Sequence, residues 1–263
     1  MAKLTKAEAK AHAEAVAILT QDALNDDERE FVLHNWHEAA DNLNTTAGAH
    51  FTPPQLAYDF AIDAHGSGRV LDLCAGIGML ARAVAWRHSY QADITEIVCI
   101  ERNPQYVAIG QKIIPEARWI CADVFDLPDL DLGRFDSVIS NPPFGRSAAR
   151  TRKGPRYTGA EFEYHLIDLV SDHADYGAFI LPQNSAPFVY SGAHFMRFLD
   201  AGKAIDFQNK LGFEMQPGCG VDTSYHRNEW KTVSPMCEVV CMDFTERMAP
   251  APELGETLDL FAA

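Results

Sequence analysis

Positive charge is scarce in this chain. Its 263 residues carry 22 Lys and Arg against 37 Asp and Glu, a formal net charge of −15. Such a balance excludes indiscriminate binding to polyanions, so any contact with phosphate must come from a local patch. Cysteine is sparse too, and none of the six is spaced Cys-x-x-Cys. Cys74, Cys99 and Cys121 fall in or at the ends of apolar runs, as small core residues do. Cys219, Cys237 and Cys241 with His226 lack the spacing of a zinc site, so no metal is expected. No apolar run approaches membrane-spanning length, and Met1 to Glu8 lacks the apolar core of a secretory signal, so a cytoplasmic protein with no membrane contact is expected. What is plentiful is hydrophobic residues, 47% of the chain, enough to bury the core of one elaborated domain.

The chain begins with helical signals. Thr5 and Glu8 have capping-box spacing before an Ala-rich run ending near Leu24, and Asp27 with Glu30 begins a second helix reaching about Leu43. Residues 1–43 therefore form a helical extension. After a polar loop, Thr52 and Pro53 are placed as N-cap and first residue of another helix. Val70 to Leu73 then reads as a buried strand running through Cys74 into Gly76-Ile77-Gly78 and a helix. Glycines there let a ligand approach the backbone, and the helix start offers free N–H groups. Ile97 to Ile100 is a second strand ending in Glu101, whose carboxylate can accept from two ribose hydroxyls. Ala117 to Cys121 is a third, with Asp123 and Val124 just beyond it. Phe135 to Ile139 is a fourth, followed by Ser140-Asn141-Pro142-Pro143-Phe144-Gly145.

In an open parallel sheet, ligands gather at the edge where strands end. Two prolines stiffen the turn after the fourth strand, fixing the Asn141 amide and nearby carbonyls as acceptors with Phe144 as a flat apolar wall. That cup suits a planar group bearing an amine. Alone it could equally be a rigid turn, but four successive strands ending in polar groups, with glycines after the first, argue against coincidence.

Asp72-x-x-x-Gly76-x-Gly78 with Asn141-Pro142-Pro143-Phe144 resembles the S-adenosylmethionine-dependent N6-adenine DNA methyltransferases, over roughly His50 to Pro187. The resemblance implies a doubly wound, mostly parallel, seven-stranded Rossmann-like sheet in residues 44–245, with S-adenosylmethionine as cofactor. It implies that Phe51 and Thr52 border the methionine end of the cofactor, and that Asp72, Gly76 and Gly78 surround its amino-acid portion, with Cys74 in the same turn. Glu101 would hold the ribose, Asp123 the adenine amine, and Val124 or Phe125 would pack on the ring. Asn141 and the Pro142 carbonyl would grip the target amine, beside Pro143 and against the Phe144 ring.

Residues 145–160 hold Arg146, Arg150, Arg152, Lys153 and Arg156 and no acid, a local reversal of sign that reads as a phosphate-contacting loop. Farther on, Glu161 to His173 reads as a helix, Tyr176 to Pro182 as the fifth strand, Phe195 to Leu199 as a helix, and Ala204 to Met215 and Pro235 to Phe244 as the last strands. The family's sequence-specific members usually carry a large recognition domain, and none is evident. In the tail, 246–263, Thr257-Leu258-Asp259-Leu260-Phe261 resembles, with Thr257 in place of Gln, the short peptide by which bacterial DNA enzymes hold the sliding clamp; a tail folded back on its own sheet is the alternative. DNA is the expected partner, with structured RNA, a protein glutamine amide or a non-catalytic cofactor-binding role as alternatives.

Overall fold

The computed structural model describes residues 4–38, 50–89, 93–144, 152–231 and 233–246. Its centre is a six-stranded sheet built from β1 (Gly68–Leu73), β2 (Ile94–Glu101), β3 (Arg118–Cys121), β4 (Phe135–Ser140), β5 (Ala174–Pro182) and β8 (Cys237–Asp243), in the order β3-β2-β1-β4-β5-β8. All neighbours are parallel except β8, which runs antiparallel to β5. A small hairpin, β6 (Phe188–Val189) with β7 (Arg197–Phe198), stands apart.

The strands are continuously apolar because both sheet faces are covered. Side chains alternate across the pleat. Val70, Cys99, Ile139, Ala178 and Val239 therefore join one core, and Leu71, Leu73, Val98, Val138, Phe179 and Val240 the other. The first core is closed by α3 (Pro54–Asp63), α4 (Met79–His88) and α5 (Pro104–Ile113), through Phe60, Leu80 and Ile109. The second is closed by α6 (Phe162–Val170) and α7 (Lys203–Leu211), through Leu166, Ile167 and Phe207.

The N-terminal helices α1 (Lys6–Ile18) and α2 (Asp26–Asn35) pack onto the first core through Ala15, Val32, Leu33 and Trp36. Both start with capping boxes, Thr5 with Glu8 and Asn25 with Glu28. The second lies two residues before the expected Asp27–Glu30 pair. That helix also stops earlier than expected, because Trp36 turns extended and buries its ring among Phe51, Tyr106 and His12.

Three further expectations are corrected. The sheet has six strands rather than seven among the described residues. Ala204 to Met215 is mainly helix, since Ala204, Phe207 and Leu211 share a buried helical face and Gly212 ends it in the left-handed conformation at φ 76°. Only the bridge between Gln216 and Cys241 marks where that strand was expected. Phe195 to Leu199 is not helical but contains β7, with Phe195 and Phe198 exposed rather than turned to a core. Arg146, Arg150 and the tail residues Leu258, Leu260 and Phe261 lie outside the described residues. Among those described, no helix is long and apolar enough to cross a membrane.

Candidate active site at the strand ends

β1 carries Asp72 in register with Cys99 of β2 and Ile139 of β4, so its carboxyl is enclosed on both sides. It is 1% exposed; one oxygen accepts from the Ala81 N–H of α4 at 3.2 Å, and the other, Oδ1, is buried with no hydrogen-bond partner. Burial pushes its pKa well above the carboxylate range; the Ala81 N–H opposes this, and Glu101 adds to it.

The chain leaves β1 through Cys74, which takes the left-handed conformation at φ 59°, unusual for a residue with a Cβ. Gly76, at φ 58°, brings its backbone beneath the Phe51 ring, where an added Cβ would lie 3.1 Å from the ring. Its N–H donates to Glu101 Oε2 at 3.0 Å, while Glu101 Oε1 accepts from the Asn103 N–H at 2.7 Å. Glu101 is thus locked at the end of β2, and its burial raises its pKa as well. Gly78, at φ 98°, serves a different purpose: it opens α4 and clears Ile114 and Trp119, which an added Cβ would meet at 3.0 and 3.2 Å.

Asn141 is the first residue beyond β4. Its amide nitrogen donates to the His50 carbonyl at 3.1 Å and to Thr52 Oγ1 at 2.8 Å. A carbonyl can only accept, so the amide orientation follows from chemistry. Asn141 Oδ1 consequently points away from both, buried and without a hydrogen-bond partner. A buried acceptor left in that condition costs about 1–3 kcal/mol until a donor arrives. Thr52 is free for this task because α3 is capped by Pro53 with Pro54 in its first turn, one residue later than expected. Phe144 packs on the first core with its ring tilted against Trp230, centroids 6.3 Å apart.

His50, Phe51, Thr52, Asp72, Cys74, Gly76 and Asn141 line one pocket. Most of the expected cofactor set is therefore brought together. Gly78, Glu101, Asp123 and Val124 do not line it. Asp123 caps the 3-10 turn Val124–Asp129, accepting from the Phe125 N–H at 3.1 Å and lying 3.7 Å from Arg102, while Val124 is buried in the second core. Residues not anticipated are His50, whose carbonyl orients Asn141, Trp36, whose ring supports Phe51, and Trp230 beside Phe144. Only the aromatic and polar character of 50–52 hinted at the first two; Trp230 comes from a connection distant in sequence.

Two of the basic-loop cations are engaged within the fold. Arg156 binds Asp168, which is 0% exposed, at 2.7 Å, and also reaches Asp172 at 3.0 Å. Arg152 pairs with Asp126 and lies 3.5 Å from Asp129. Lys153 is exposed. Among the described residues, no three His, Cys, Asp or Glu are grouped to hold a metal ion. Burial moves the Cys237 and Cys241 thiols up to about 12, away from the thiolate form that a metal needs.

Two buried acceptors, Asp72 Oδ1 and Asn141 Oδ1, thus border one pocket roofed by an aromatic ring and floored by a glycine turn. An amino acid's ammonium suits the first, and this pair of acceptors fits S-adenosylmethionine, while Glu101 stands at the end of β2 with its oxygens on the Gly76 and Asn103 N–H groups. Residues 59–154 match the family described as methyltransferase small domain. No curated protein sequence matches the chain. In fold it is similar to a type I restriction-modification methyltransferase subunit from Streptococcus thermophilus, with TM-score 0.56 and 15% identity, covering 83% of this chain and 48% of that one. This chain thus spans about half of that subunit. It is also similar to a Listeria monocytogenes protein assigned to the class I S-adenosylmethionine-dependent methyltransferases, with TM-score 0.52 and 13% identity over 95% and 84% of the two chains. An rRNA methylase from Streptococcus thermophilus aligns at TM-score 0.44 and 12% identity, over 75% of this chain and 98% of that one. The segment match and the Rossmann-like sheet thus place residues 59–154 with the methyltransferase small domain and give the chain the fold of the class I S-adenosylmethionine-dependent methyltransferases.

Proposed function

We propose that this chain methylates the exocyclic amine of adenine in DNA. The observation that carries the reading is the orientation of Asn141: both N–H bonds are taken by His50 and Thr52, which leaves a buried oxygen open to a donor at the cofactor pocket. An aromatic amine is a weak nucleophile because its lone pair is delocalised into the ring. Acceptors at Asn141 Oδ1 and the Pro142 carbonyl draw its hydrogens out of plane and localise that pair. Their pull strengthens as positive charge grows on nitrogen, so it acts most in the transition state.

When bound, S-adenosylmethionine supplies a sulfonium methyl that is already activated, and placement in line accounts for the remaining rate. With the cofactor bound, transfer would join the methyl carbon to that nitrogen at the expense of its bond to sulfur, and the amine's surplus proton would leave to solvent. Asn141 stays neutral throughout and serves as acceptor, not base. Phe144, seated against Trp230, offers a flat face to a base taken out of its stack. The likeness in fold to a restriction-modification subunit is in keeping with a DNA substrate, and so is the Asn-Pro-Pro-Phe motif.

Transfer of labelled methyl to duplex DNA, single-stranded DNA and structured RNA, run side by side, tests the reading. Label on DNA adenine, lost in Asn141→Ala while cofactor affinity is kept, is the expected result. Label on RNA alone, or on neither, overturns it.

A further inference from the structure

β4 and β5 are paired so that Ser140 lies opposite Phe179, yet β5 runs on to Pro182. Three further residues at about 3.3 Å each lift the end of β5 roughly 10 Å above the level where Asn141 begins. β8 pairs along this overhang up to Cys237 opposite Pro182. The two strands make a lip beside the Asn-Pro-Pro-Phe turn, and the β6–β7 hairpin grows from that lip.

The hairpin is anchored with unusual care. Glu238, 1% exposed, accepts from the N–H groups of Tyr190 and Ser191 at 2.9 and 3.0 Å, the Ser191 hydroxyl at 2.8 Å and the Gln183 amide at 2.7 Å. A buried carboxylate held by four donors is an expensive device for a loop with no task. Gly192 is tied in addition to Asp222 at 3.0 Å. Above this rigid base, Phe195 is 86% and Phe198 62% exposed. Arg197 between them is exposed and forms no ion pair with a described residue. Large aromatic side chains held in water on a fixed support, with a free cation alongside, match what unpaired or unstacked bases bind: a stacking face and a phosphate partner.

We infer that the β6–β7 hairpin is the nucleic-acid contact of this methyltransferase, with Phe195 stacking on a DNA base next to the reacting one and Arg197 holding the adjoining phosphate. The assignment rests on the DNA reading above. Because Phe195 touches little of the protein, its removal leaves the fold intact.

Fluorescence anisotropy of labelled duplex and single-stranded DNA oligonucleotides, with the full chain and S-adenosylhomocysteine present, tests the inference. Phe195→Ala weakens binding about tenfold or more, Phe195→Trp restores it, and Arg197→Ala flattens its salt dependence; cofactor affinity and Tm stay unchanged. Equal binding by wild type and Phe195→Ala overturns the inference, as does binding of RNA alone or a shift in oligomeric state in the variant. Methyl transfer to DNA that ignores the hairpin variants sinks the hairpin role alone. Hairpin-dependent DNA binding without any methyl transfer sinks the proposed reaction alone.

Discussion

Thr52 Oγ1 accepts the amide of Asn141 at 2.8 Å, joining residues 89 positions apart in the chain. The threonine has no chemistry of its own to perform. It holds the asparagine with its oxygen outward, so its contribution is one of positioning.

Thr52→Val, which keeps the shape and removes the acceptor, should therefore lower kcat by about 10- to 100-fold, the range for a small misplacement of a reacting group. KM for S-adenosylmethionine changes little, and Thr52→Ser recovers most of the rate. Steady-state kinetics of the three proteins check this; equal kcat in wild type and the valine variant would show that Asn141 is oriented without Thr52.

Asp72 should oppose folding and favour cofactor. Its folded pKa is raised by burial, so the folded protein keeps a proton that the unfolded chain releases. Stability from this group is thus lost as pH rises above its ordinary value of 3.8 toward the raised one. Asp72→Asn, free of that penalty, should melt at or above the wild-type Tm at neutral pH. The Tm increase on adding S-adenosylmethionine should vanish, because the amide offers the ligand's ammonium no charge. In wild type, cofactor affinity rises with pH as Asp72 ionises. Thermal scans with and without cofactor from acidic to neutral pH check both halves.

Arg156 belongs to stability more than to substrate. Its guanidinium binds the buried Asp168 and the more exposed Asp172, and its own N–H joins that of Tyr157 on Asp168 Oδ2, each at 2.6 Å. Arg156→Ala leaves the buried Asp168 its two backbone donors but no counter-charge, and should cost about 3 kcal/mol. Arg152→Ala, whose partners lie in solvent, should leave the denaturant midpoint unmoved. Urea titrations of the two variants separate the roles.

Trp36 ties the helical extension to the cofactor pocket. Its ring is 1% exposed and lies 5.7 Å from Phe51, and its carbonyl accepts from Lys231 at 2.6 Å. Trp36→Ala should cost about 3–5 kcal/mol and weaken S-adenosylmethionine binding by releasing Phe51 from above Gly76. Calorimetric titration of a still-folded Trp36→Phe variant should show the smaller loss of the same kind.

The succession of strands β1 to β5, the glycine turn after β1 and the stiff proline turn after β4 were legible in the linear chain because each is local. A buried parallel strand needs a continuous apolar run, a left-handed turn needs glycine, and a stiff strand end needs proline. What the tertiary structure alone decided is how groups far apart meet. The sequence marks Thr52 as a helix cap, but packing starts the helix a residue later and hands its hydroxyl to Asn141. Likewise the arginines of the loop read as one basic patch, until folding places Asp168 beneath Arg156 and Asp126 beside Arg152. Periodicity misread 204–215 as strand, and exposure alone revealed the Phe195 hairpin. Local backbone preference can be written into neighbouring residues; which carboxylate stands opposite which cation, and which aromatic is left in water, depends on contacts that exist only once the sheet is closed.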